Sequence, residues 1–127
     1  MTQKDLVRFW QEGSEEAWKT VQALMQSQRY LHALFFCHLT LEKLLKAKYA
    51  EKHDTAPPPV HNLQWLAQKT GIALSESEQT MLAEITTFNI SGRYEDYRNK
   101  LYKKADKVYT TQWVTSAEAL LHTIRQQ

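Results

Sequence analysis

Cysteine is nearly absent from this chain: Cys37 is the single thiol among 127 residues. No intramolecular disulfide can form, which is compatible with a reducing compartment. Glycine and proline are scarce as well, at three each, too few to punctuate the many turns of an all-β fold. Long hydrophobic runs are missing. The longest, Ala33 to Cys37, falls far short of the roughly 20 residues that a membrane-spanning helix requires. The first residues, Met1 to Asp5, lack the apolar stretch of a secretory signal. These absences lead us to expect a cytoplasmic protein without a membrane partner. A large charge of one sign is also missing, since the formal net charge is +2. That is too little to argue for nucleic acid by itself.

What is present is the balance of an ordinary globular protein, with 43% hydrophobic and 24% charged residues. A chain of this length suits one domain, here 1–127, whose core needs no disulfide or metal to form. Its apolar residues recur at helical spacing. Between Lys4 and Gln28 they fall at Val7, Trp10, Ala17, Trp18, Val21, Leu24 and Met25, one stripe on one helix. Thr2 with Asp5 forms a capping box for its start, and Gly13-Ser14 is where it would kink. Tyr30 to Lys52 is the second helix. Its first half is apolar nearly all round, so other helices should surround it.

Pro57-Pro58-Pro59 reads as an extended connector. A short helix over Asn62–Thr70 is stopped by Gly71. Ser75-Glu76-Ser77-Glu78 is a second capping box, opening a helix with Met81, Leu82, Ile85 and Phe88 on one face. Arg93 to Lys104 is polar, rich in tyrosine and without a clear period. The last helix runs from about Ala105 to Ile124. The expected fold is all-α: an antiparallel up-and-down bundle of four long helices plus one short helix.

Three short motifs now fall in order along the chain. Leu41-Glu42-Lys43-Leu44-Leu45-Lys46-Ala47 resembles the "EKxxKA" signature of the HEPN domain family. Pro59-Val60-His61-Asn62-Leu63 is similar to that family's "HdL" motif, and Gly92-Arg93-Tyr94-Glu95-Asp96 to its "RYPD" motif, with glutamate in place of proline. The resemblance places Glu42, Lys43, Lys46 and His61 at family-motif positions. It implies a helical bundle, commonly a homodimer, often encoded beside a minimal nucleotidyltransferase that would be its partner protein. It also implies either nucleotide binding or ribonuclease activity through an arginine followed four to six residues later by histidine. None of Arg8, Arg29, Arg93, Arg98 or Arg125 has a histidine at that spacing. Proton transfer near neutral pH is histidine's natural role, so the sequence leans away from an enzyme and leaves an atypical ribonuclease, or a purely structural dimeric adaptor, as alternatives.

The residues offer further candidates. Glu42 and Lys46 stand four apart, either a surface or inter-helix ion pair or a pair that orients a ligand. His61, beside the start of the short helix, would cap backbone N–H groups, pair with a carboxylate, or bind a ligand. His38 with Glu42 and Glu118 with His122 are also four apart, but the bundle metal sites they distantly suggest need Glu-x-x-His plus two further glutamates; no metal or other cofactor is expected. Arg93, Tyr94, Tyr97, Arg98, Lys103 and Lys104 combine planar cations, amines and rings. Guanidinium groups grip phosphate bidentately and tyrosines stack on bases. This segment is the candidate nucleotide site, with a solvated connector as the bland alternative.

Overall fold

The computed structural model describes residues 1–91 and 95–127. Among them it contains helices and no strand: α1 (Gln3–Gln26), α2 (Tyr30–His53), α3 (Leu63–Thr70), α4 (Glu76–Thr86), α5 (Glu95–Lys104) and α6 (Lys107–Arg125). The chain is therefore all-helical, as its patterning requires. One helix, α5, lies where the sequence showed no period. It buries only Leu101, so hydrophobic periodicity could not reveal it. Its ends nonetheless suit a helix, with Glu95 and Asp96 in the first turn and Lys103 and Lys104 in the last, each opposing the nearer end of the helix dipole.

The capping boxes form as expected. Thr2 Oγ1 accepts from Asp5 N at 3.1 Å and Asp5 Oδ2 accepts from Thr2 N at 3.3 Å. Ser75 and Glu78 repeat the exchange at the start of α4. Gly71 ends α3 in the left-handed region, at φ 70°.

Helix α1 passes through Gly13 without a break. Gly13 serves closeness of approach instead of a kink. A Cβ there would stand 3.1 Å from Cδ of Lys43, so the bare backbone lets the lysine stem cross α1. One residue on, the buried Ser14 hydroxyl donates to the Thr40 carbonyl at 2.8 Å. Gln3 reaches the carbonyls of Ala50 and Glu51. These links fix α1 and α2 antiparallel across the turn at Ser27–Arg29.

Helix α2 is the hub, packing against α1, α3, α4 and α6. Leu34, Cys37, Leu41 and Leu45 on it are fully buried. Burial pushes the Cys37 thiol up to about 12, the behaviour of a core residue in place of a reactive one. Helices α4 and α6 are antiparallel too. Gln127, just past α6, exchanges two hydrogen bonds with Ala73, ahead of α4, while Tyr109 near the start of α6 meets Glu84 near the end of α4. Phe88 is buried between them, with Tyr109 and Trp113 edge-on to its ring.

Candidate functional site

Two groups of chemistry-bearing residues emerge. The first is built on one face of α2, where His38, Glu42 and Lys46 succeed one another at intervals of one turn. Lys46 Nζ donates to Glu42 Oε2 at 3.0 Å, with both side chains nearly buried, at 5% and 6% exposed. The surface or inter-helix ion pair expected from the spacing is thus corrected: the pair lies within one helix and is removed from water. Lys46 is buried because Trp10 of α1 covers it, the ammonium sitting 5.3 Å from the ring centroid, in range of a cation–π attraction.

The other oxygen, Glu42 Oε1, accepts from His61 Nδ1 at 2.9 Å. A carboxylate has no proton to give, so His61 carries its proton on Nδ1. In the neutral ring Nε2 is then a lone pair, on a side chain that is 59% exposed. His61 is held at its backbone as well, because His38 Nε2 donates to the His61 carbonyl at 2.9 Å. His38 Nδ1 is left buried without a partner. Burial pushes the His38 pKa down, against the raising effect of the hydrogen bond to His61 and of the Glu42 charge. His61 pairs with a carboxylate, one of the roles its position left open. Asn62, not His61, caps α3, accepting from Trp65 N at 2.9 Å.

Lys43, the neighbouring motif position, lies apart from this network. It runs over Gly13 into a surface pocket of about 400 Å³ beside Phe9 and Trp10. Glu118 and His122 are exposed on α6, while His38 and Glu42 are buried, so the two acid–histidine pairs do not converge. Among the described residues no three histidine, cysteine or acidic side chains are placed to hold one metal ion.

The second group lies on α5. Arg93 and Tyr94 lie outside the described residues. Tyr97 and Lys104 share a face of the helix, and with Glu84, Thr87, Lys100 and Leu101 they line a pocket of about 240 Å³. Tyr97 Oη donates to the Thr87 carbonyl at 3.3 Å. Lys104 Nζ lies 3.3 Å from Glu84 Oε2 and over the Tyr109 ring. Tyr109 Oη donates to the same oxygen at 2.5 Å, and burial, followed by that hydrogen bond and the Glu84 charge, drives its pKa upward. Arg98 and Lys103 are exposed and stand outside this pocket.

Sequence reasoning missed Trp10, Glu84 and Tyr109. Each lies far along the chain from the residue it completes, and a tryptophan or glutamate in a helical stripe carries no local mark of its partner.

Both groups can be set beside known proteins. A sequence model of the HEPN domain matches residues 7–127. The chain belongs to the HEPN domain family. The crystal structure of TT1696 from Thermus thermophilus is similar in fold, with a TM-score of 0.78 at 15% identity over 94% of this chain and 96% of that one. No match was found among curated protein sequences. In this HEPN domain the motif positions Glu42, Lys46 and His61 form one hydrogen-bonded unit that ties α2 to the connector ahead of α3. Among the described residues no helix is long and apolar enough to cross a membrane.

Proposed function

We propose that this HEPN domain is a binding module that takes a nucleotide on its α5 face, works as a homodimer, and acts beside a nucleotidyltransferase-like partner protein. One observation carries the reading. Arg98, Lys100 and Lys103 are exposed, and no described carboxylate pairs with them. Lys100 lines a pocket edged by Tyr97, and Arg98 and Lys103 lie on the same helix outside that lining. Exposed cations without internal partners favour an anionic ligand, and a ring beside them favours a flat one. Self-association is supported by apolar side chains left in water, with Phe9 57%, Tyr102 68% and Val108 79% exposed.

Calorimetry with ATP, GTP and their diphosphates tests the ligand. Binding should weaken on the order of tenfold or more in Arg98→Ala/Lys103→Ala, and also with added salt, since exposed charges are screened over about 8 Å at physiological ionic strength. No binding below millimolar concentration would sink the nucleotide reading. Light scattering at micromolar concentration tests the dimer, which a clean monomer mass would exclude.

The His61–Glu42 pair favours a second reading, an atypical ribonuclease. An imidazole oriented by a buried carboxylate, on a side chain that is 59% exposed, is suited to accept a proton. RNA cleavage lost in His61→Ala would establish it, whereas RNA left intact by the unaltered protein would dismiss it.

A further inference from the structure

We infer that the pocket between α3 and α4 is a ligand site of its own, for a phosphate monoester whose body, a sugar or a base, is uncharged and hydrogen-bonding. It stands apart from any binding at α5. Its volume is about 660 Å³, within the roughly 300–1,000 Å³ of small-molecule sites. Asn62, Gln64, Trp65, Gln68 and Gln79 line it, together with aliphatic residues and the bare backbone of Gly71. No charged side chain is among the described residues of the lining. Glu76 and Glu84 of α4 line other pockets.

Three of the four carboxamides are committed at one end. Asn62 Oδ1 accepts from Trp65 N at 2.9 Å, Gln64 Nε2 donates to the Gln79 carbonyl at 3.1 Å, and Gln79 Nε2 donates to the Leu74 carbonyl at 3.3 Å. These bonds leave amide N–H groups on Asn62 and side-chain carbonyl oxygens on Gln64 and Gln79. No described group bonds the carboxamide of Gln68. Donors and acceptors are thus both on offer, which suits hydroxyls or the edge of a base. A charge placed among them would lose its hydration without meeting a counter-charge, so the body of the ligand is neutral. Half-buried Trp65 adds a flat apolar surface, against which a base stacks or the C–H face of a sugar ring packs.

Charge enters at the edge. Lys69 Nζ stands 5.5 Å from the centre of the Trp65 ring. Lys52 Nζ lies against Gly71, 2.5 Å from where a Cβ would be. Both lysines are exposed, and neither has a described carboxylate within ion-pair distance. Two such ammonium groups match the charge of about −2 that a phosphate monoester carries near pH 7.

The test is a nuclear magnetic resonance titration of the full chain that reads the Trp65 indole N–H signal, identified by its loss in Trp65→Phe. Glucose-6-phosphate and adenosine monophosphate are the probes, with glucose, adenosine and inorganic phosphate as controls. At least one ester should move the signal saturably, and which one does so tells a sugar ligand from a nucleotide. Binding should weaken on the order of tenfold in Lys52→Gln/Lys69→Gln. It should stay unchanged in Arg98→Ala/Lys103→Ala, so failure here is distinct from failure at α5. The ligand series on the unaltered protein decides the matter even if a variant folds poorly. A signal unmoved by either ester at millimolar concentration overturns the site. Inorganic phosphate binding as tightly as the esters overturns recognition of the body, and glucose or adenosine binding as tightly overturns the role of the lysines.

Discussion

Glu42 and His61 are 19 positions apart in the chain and joined by a 2.9 Å hydrogen bond from Nδ1 to Oε1. The bond does two things at once. It fixes which ring nitrogen of His61 carries the proton, and it fastens the proline-rich connector to the hub helix. Glu42 is simultaneously the counter-ion of a buried lysine. Removing it should therefore be felt in stability before it is felt anywhere else.

Glu42→Ala strands the Lys46 ammonium in a site only 5% exposed, and breaking such a pair from one side typically costs about 3 kcal/mol or more. Replacing Glu42 and Lys46 together by methionine should lose less than Glu42→Ala alone, since no unpaired charge remains. Urea denaturation of the three proteins measures both differences. A smaller loss in the single variant would show the pair to be solvated.

Stability should fall on acidification through His38. Its folded-state pKa is lowered, chiefly by burial, so the unfolded chain binds the proton more readily. A depressed base contributes stability in full above its unfolded pKa, about 6.5, and loses it as the pH drops from there toward the folded value. Glu42, Lys46 and His61 face the ring. Denaturation midpoints at pH 7.5 and pH 5 should diverge less in His38→Gln, which keeps an N–H donor for the His61 carbonyl. An unchanged divergence would assign the pH dependence elsewhere.

Cys37 should resist modification in the native state. With its thiol pushed up to about 12 and its side chain fully buried, neither the thiolate nor a path to it is available. A thiol-specific disulfide reagent at pH 8 should label the chain only as fast as it unfolds. Rapid stoichiometric labelling without denaturant would contradict the packing described for α2.

Gly71→Ala should destabilise by about 1 kcal/mol, the cost of a side chain in the left-handed region. The added Cβ would also meet Lys52 Nζ at 2.5 Å. That ammonium is the far end of a flexible chain and can move aside, so the backbone sets most of the loss. Thermal unfolding reads the shift, and a neutral result would mean that α3 can end in another conformation.

Helix content and several helix ends were legible because they depend on neighbours in the chain. Thr2 with Asp5, Ser75 with Glu78 and Gly71 satisfy or terminate backbone within one turn, and the stripe Val7 to Met25 needs only its own period. The hub role of α2 was legible for a related reason: a segment apolar on every side has to be enclosed. Helix α5 was not, because a helix that buries Leu101 alone is indistinguishable by pattern from a polar connector.

The sequence by itself thus determined an all-helical chain, its HEPN motifs and the residue types available for binding. Only the tertiary structure decided what those residues do to one another. It placed Trp10 over Lys46, set His61 against Glu42 while His38 took the His61 carbonyl, and brought Glu84 to Tyr109 and Lys104. The physical reason is range. Caps and periods act over three or four residues of one helix, whereas burial of a charge, the tautomer of a histidine and the partners of a carboxylate are set by side chains that meet only after the helices pack.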